Sequence, residues 1–243
     1  MKDTEQNNGE PKKQSNDFFS TTSWTIIAQV GEQSEEERKK ALELLCNQYR
    51  PSVEAYLRAS RVPHSEVDDL VQQFFLFIIT SKAIERADPN RGKFRAFLLT
   101  CLQNFIINEN RKVKARKRGG DYVFVEFDEA MDSSIDTASP AAAFDRKWAE
   151  TVIKTSVNLL KKEWEADGKD FESLREYVVS PKSATPLSDK AEEMEVSVSA
   201  LKSAVFRLRR RYGDIIRAVI GDTVHSRDRV EEELKDFLAI LGS

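Results

Sequence analysis

The stretch SDKAEEMEVSVSALKSAVFRLRRRY, Ser188 to Tyr212, decides the fold. Ala191 and Met194 mark a short amphipathic segment and Glu195 to Ser197 interrupt it. Leu201, Val205, Leu208 and Tyr212 then recur at three- and four-residue intervals, the spacing of one helix face. A short helix, a tight turn and a longer second helix form a helix-turn-helix. The second helix carries Lys202, Arg207, Arg209, Arg210 and Arg211, with Lys202 and Arg209 sharing a face with Ser199 and Ala200 near its start. A solvated basic face would account for the charge. Helix-turn-helix spacing together with the charge favours DNA binding.

Upstream of this motif the chain also has a helical period. Ala41, Leu44, Leu45, Tyr49 and Val53 follow a Glu-rich turn that suits a helix N-terminus, and Pro51 is expected to reset that helix. After Pro63, Ser65 is placed as the N-cap of a helix with Val67, Leu70, Val71, Phe74 and Ile78 on one stripe and Asp68, Asp69, Gln72 and Gln73 opposite. Asp88 to Gly92 is a turn cluster. Phe94, Phe97, Leu98, Cys101, Leu102 and Phe105 mark a further long helix, ending in the basic run RKVKARKR at Arg111 to Arg118. Residues 119–143 read as an acidic linker, and the stretch from Asp121 to Ser139 has six acids and no Lys or Arg. Periodicity resumes at Phe144, Trp148, Val152, Ile153 and Leu160. Gly168 separates that helix from one holding Phe171, Leu174 and Val178, and Pro181 to Pro186 form a loop. Ile215, Ile216 and Val219 lead into a charged final helix through Leu234, Phe237 and Leu241, read as a cap on the domain rather than a regulatory arm.

The fold class that results is all-α, two helical domains joined by an acidic linker. The domains span 18–118 and 144–243. Residues 1–17, which hold no aliphatic or aromatic side chain beyond Met1, cannot offset the entropy of ordering and form a disordered tail.

Composition removes several function classes. Two cysteines, Cys46 and Cys101, cannot build a disulfide framework or a zinc site, and both fall on apolar stripes where packing accounts for them. The longest apolar run, Phe74 to Ile79, is far short of the roughly 20 residues of a membrane helix, and the polar N-terminus is no signal peptide. A cytoplasmic protein is expected. His64 and His225 lie far apart in polar, turn-like surroundings, and there is no Gly-rich phosphate loop or nucleophile motif. No carboxylate sits in an apolar setting that would shift its pKa. No catalytic residue, metal ligand or cofactor is expected.

Two surfaces remain beside the helix-turn-helix. Thr100, Asn104, Asn108, Arg111 and Ala115 step by four, four, three and four, and so line one side of their helix next to the basic run. Amides and a guanidinium there can grip phosphate and offer hydrogen bonds to base edges, although basic residues at a helix C-terminus also complement its dipole. The polar face of Asp68, Asp69, Gln72 and Gln73 lies on a helix with Phe74, Phe75 and Phe77, more aromatic surface than one small core needs, which suits a protein-docking face.

These motifs together resemble the sigma-70 family of transcription initiation factors. DDLVQQFF at Asp68 to Phe75 is similar to that family's polymerase-binding helix. FRAFLLTCLQNFIINENRKVKARKR from Phe94 to Arg118 resembles the segment that recognises and melts the minus-10 promoter element, and Ser188 to Tyr212 the helix-turn-helix that reads the minus-35 element. The two-domain plan resembles the extracytoplasmic-function (ECF) group. SWTIIAQV, DPNRGKFRAFLL, KARKRGG and RLRRRYGDIIRAVIGDTV resemble a sub-branch common in bacteria such as planctomycetes.

The resemblance implies core RNA polymerase and promoter DNA as partners, with room for an anti-sigma or other regulatory protein. For polymerase it implicates Asp68, Asp69, Gln72, Gln73 and Phe75. For the minus-10 element it implicates Asn104, Asn108, Arg111, Lys112, Lys114, Arg116, Lys117 and Arg118, and for the minus-35 element Ser199, Lys202, Ser203, Arg207 and Arg210. Three positions depart from the family's pattern. Glu195 stands where such turns often carry Gly, Phe97 where many relatives carry Trp, and Ser199 where the recognition helix often starts with Gly. The competing function is a conventional helix-turn-helix regulator whose N-terminal domain dimerises or senses a ligand. That reading leaves the first basic cluster and the acidic linker without a role.

Overall fold

The computed structural model describes residues 35–81, 83, 93–116, 139–221, 223–224 and 227–242, with backbone only at 35, 37, 38, 41, 113–116, 227 and 228. The expected tail, most of the acidic linker, the turn at Asp88 to Gly92, Lys117, Arg118 and His225 lie outside the described residues, as do the side chains of Lys114 and Arg116. The described residues form helices and no strand, so the all-α class holds. In chain order these are α1 (Glu35–Ala59), α2 (His64–Thr80), α3 (Phe94–Arg116), α4 (Pro140–Ala166), a 3-10 turn (Glu172–Leu174), α5 (Glu176–Val179), α6 (Leu187–Glu193), α7 (Val198–Gly221) and α8 (Arg227–Gly242).

Three details differ from the sequence reading. Helix α1 runs unbroken through Pro51. Proline costs it the bond to the carbonyl of Asn47, but Tyr49, Val53, Tyr56 and Leu57 are all buried on the two sides of the break and hold the helix in line. Leu44, expected inward, is 57% exposed. Helix α2 starts one residue before Ser65, with Pro63 at the N-cap and no side-chain cap. Elsewhere the stripes are as read: Val67, Val71, Phe74 and Ile78 are buried in α2, and Phe94, Leu98, Leu102 and Phe105 in α3. Cys46 and Cys101 are half-buried against the core, and burial pushes the Cys46 thiol up to about 11, which keeps it protonated and unreactive.

Three helix ends close in the same way. After α1, α4 and α6 the chain turns through one left-handed residue, Arg61 (φ 58°), Gly168 (φ 72°) and Glu195 (φ 54°) respectively. In each, the following amide reaches back five residues: Val62 to the Leu57 carbonyl, Lys169 to Trp164 and Val196 to Ala191. This paired closure satisfies carbonyls that the helix end leaves without partners. Glycine fits it without strain at 168, whereas Arg61 and Glu195 hold a conformation that Cβ disfavours.

Helix α4 lies along α1 and also packs on α7, and α8 packs on both α4 and α7, so the buried side chains form one continuous core. Ser139 caps α4 by accepting the Ala142 amide, with Pro140 in the first turn where its missing N–H costs nothing. An acid–base cluster ties the head of α3 to α4 and α8. Arg95 is 8% exposed in its side chain, pairs with Asp145 of α4 and Glu233 of α8, and lies 4.6 Å over the Trp148 ring. Lys93 sits 2.7 Å from the fully buried Glu233 and also pairs with Asp236. Burial holds the Asp145 carboxyl above its usual range, against the opposing pull of Arg95. The expectation that no carboxylate has an apolar setting is therefore wrong for Asp145, because the setting is assembled by helices distant in sequence.

Candidate nucleic-acid interface

Helices α6 and α7 meet across the turn at Glu195, in the stretch whose spacing suggested a helix-turn-helix. Ser197 caps α7 by accepting the Ala200 amide, which fixes where the second helix begins. Leu201, Val205 and Leu208 are buried, and Ser199, Lys202, Ser203, Arg207 and Arg210 are all exposed on the opposite side. The structure divides the basic cluster. Arg211 makes a bidentate pair with Glu163 of α4, at 2.7 and 2.8 Å, and Arg209 donates to the Tyr177 carbonyl at 2.9 Å. Arg211 thereby braces α7 against α4, whereas Arg209, although bonded to that carbonyl, stays exposed on the side it shares with Lys202 by spacing. Among the described residues Lys202, Arg207, Arg209 and Arg210 pair with no carboxylate, and all four are exposed to an external anion.

On α3, Thr100, Asn104, Asn108, Arg111 and Lys112 are all exposed along the side the spacing indicates. Thr100 donates to its own helix at the Ala96 carbonyl, and Lys112 pairs with Glu109 at 2.6 Å. An open groove of about 560 Å³ runs between α2 and α3, with Leu76, Phe77 and Phe105 on its apolar walls and Gln73, Asn108 and Arg111 on its polar ones. The Phe77 and Phe105 rings lie 5.6 Å apart, inclined by 36°. The groove brings one residue of the expected polymerase set, Gln73, together with three of the minus-10 set, Asn108, Arg111 and Lys112. Asn104 lies one turn earlier and does not line it. Asp68, Asp69, Gln72 and Gln73 are exposed together, while Phe75 is 7% exposed and packs on Phe74 at 5.4 Å. The exposed apolar side chains of that helix are Leu76 and Phe77; spacing could have revealed Leu76, which lies opposite the stripe, but not Phe77, which falls beside Leu70 at its edge.

Residues 45–116 match the family model of Sigma-70 region 2. This part of the chain, under a third of its length, is similar to sigma-70 region 2. The match supports a sigma-70-family factor acting in transcription initiation. It begins in α1 at Leu45 and ends with α3, so the matched segment contains the groove and both of its walls. No curated protein and no solved structure matches the chain. Among the described residues no three His, Cys, Asp or Glu side chains converge as a metal site, and no helix is long and apolar enough to cross a membrane.

Proposed function

We propose that the chain is an initiation factor of the ECF type, working in the cytoplasm, that binds core RNA polymerase and brings it to promoters carrying both a minus-10 and a minus-35 element. The observation that carries this reading is the pairing of a segment that matches sigma-70 region 2 with a helix, a turn and a second helix whose exposed face, among the described residues, keeps four cations without an ion-pair partner. In this reading Asp68, Asp69, Gln72 and Gln73 dock on polymerase, with Phe75 supporting them from within and Leu76 and Phe77 extending the contact.

Melting at minus-10 requires unstacked bases, and each costs a few kcal/mol to extrude, so a pocket and a cationic track must offset it. Asn104, Asn108 and Arg111 border the groove or lie one turn from it. Lys112, Lys114, Arg116, Lys117 and Arg118 continue the line of positive charge. Ser199, Lys202, Ser203, Arg207 and Arg210 face the minus-35 duplex, where the second helix of such a motif enters the major groove. The domain limits 18–118 and 144–243 belong to this proposal, with the acidic stretch connecting them. Catalysis is left to the polymerase, and an anti-sigma protein is the natural regulator for such a factor.

Adding the protein to sigma-free core polymerase with a promoter library tests the reading. Promoter-specific transcripts are the expected outcome. Tight duplex binding by the protein alone, without initiation, would point instead to the conventional regulator.

A further inference from the structure

Phe206 lies on α7 and is 67% exposed, the most exposed large apolar side chain among the described residues. Helix α7 already has its core stripe in Leu201, Val205, Leu208, Ile215 and Val219, so folding of this chain does not account for a phenyl ring on the other side. At roughly 100° per residue, Ser199, Lys202, Ser203 and Arg210 all lie within about 60° of Phe206 around the helix, with Arg207 next to it. Residues three and four apart on a helix have Cβ atoms about 5–6 Å from each other, so Phe206 stands inside a ring of cations and hydroxyls. From Val198 to Gly213 the helix carries five bases and no acid. A face with that charge is complementary to a polyanion.

We infer that Phe206 is a specificity-determining residue that reads the 5-methyl group of a thymine in the major groove of the minus-35 duplex. The inference rests on the minus-35 reading above. Each base pair in the major groove shows hydrogen-bonding groups, and thymine alone adds an exposed methyl, the natural counterpart of an apolar side chain there. Lys202, Arg207 and Arg210 hold the phosphates on either side and fix the register, and Ser199 and Ser203 serve polar base edges. The ring then selects A·T pairs at the position it meets by removing one methyl group and its own face from water.

The test uses holoenzyme assembled from the full chain and core polymerase. Preferred minus-35 sequences are first selected from a randomised library, and each thymine is then replaced by deoxyuridine, which deletes the methyl and leaves base pairing intact. Wild type is expected to lose about fourfold in promoter binding at one or two thymines, the worth of one buried methyl. Phe206→Ala is expected to lose at least as much on the thymine template and to be indifferent to deoxyuridine at those positions, with Phe206→Leu between the two. Because the ring is exposed, thermal melting of both variants should match wild type.

Minus-35-dependent initiation by wild type that ignores deoxyuridine everywhere would overturn the inference and leave the function standing. So would Phe206→Ala holoenzyme that keeps the wild-type deoxyuridine penalty, or a Phe206→Ala defect confined to assembly with core polymerase, which would mark the ring as a protein contact. Absence of minus-35-dependent initiation by wild type would overturn both.

Discussion

Replacing Arg95 by Met keeps most of the side-chain volume and deletes the charge at the junction of α3, α4 and α8. The guanidinium is 8% exposed, Glu233 is fully buried and Asp145 is 26% exposed, so the variant leaves two poorly solvated carboxylates with only Lys93 to answer them. Removing one partner of a buried pair costs about 3–5 kcal/mol, and in a chain of this size about 2–4 °C of Tm accompanies each kcal/mol, so a fall of about 6–20 °C is expected. The loss should depend on pH in a defined direction.

Burial already raises the native Asp145 pKa above that of the unfolded chain, and Arg95 opposes the rise. Between the unfolded and folded values the native state binds more protons, so the contribution of this group falls as pH rises through that window and stays low above it. Without Arg95 the window extends upward. The deficit of Arg95→Met relative to wild type is therefore largest near pH 7.5 and shrinks as pH falls, by about 1.4 kcal/mol for each further unit that the Asp145 pKa moves. Urea titrations at several pH values, followed by the fluorescence of Trp148 beneath Arg95, measure this directly. Lys112→Ala, which removes an exposed pair, should cost under about 1 kcal/mol and serves as the control. A loss below about 1 kcal/mol for Arg95→Met, or a deficit that is flat with pH, would refute the account of the cluster.

Glu195→Gly relieves a left-handed residue in the turn between α6 and α7 and should raise stability by about 0.5–1 kcal/mol, read as a higher Tm, whereas Gly168→Ala should lower it by a similar amount. Arg207→Ala and Arg211→Ala separate the two halves of the basic cluster. The first should weaken minus-35-dependent initiation with Tm unchanged, and the second should destabilise by about 1–2 kcal/mol with promoter preference unchanged, because Arg211 is bound to Glu163. In stopped-flow assays Asn104→Ala should slow open-complex formation on duplex promoters more than on pre-melted templates, and equal slowing on both would remove Asn104 from melting.

What could be read from the sequence was what local periodicity encodes. The stripes of α2, α3, α4 and α7 follow from three- and four-residue spacing because each of these helices buries one side. The break at Gly168 follows from the one residue that closes its helix end without strain. Glu195 was recognisable as a departure from glycine, and its φ of 54° shows that the turn keeps its geometry and bears the strain. The Arg95 cluster was not legible, since Arg95 and Glu233 are 138 positions apart and each alone looks like an ordinary surface charge. Charge counting also could not tell Arg211 from Lys202, Arg207 and Arg210, because that division depends on where Glu163 comes to lie. Phe206 escaped because periodicity singles out residues that belong to a stripe, and this one belongs to none.

The packing of α4 along α1, and the reach of α8 to Lys93 and Arg95, separate two kinds of border. Residues 45–116 are a unit of pattern, in that the match to a family model starts and stops there. They are not a unit of cohesion. Cut out at those limits, the piece would keep Lys93 and Arg95 and lose every carboxylate they answer, and it would bare the flank of α1 that α4 covers. Heating or denaturant should therefore melt this region together with the helices that follow it, as a single cooperative block wider than the matched segment.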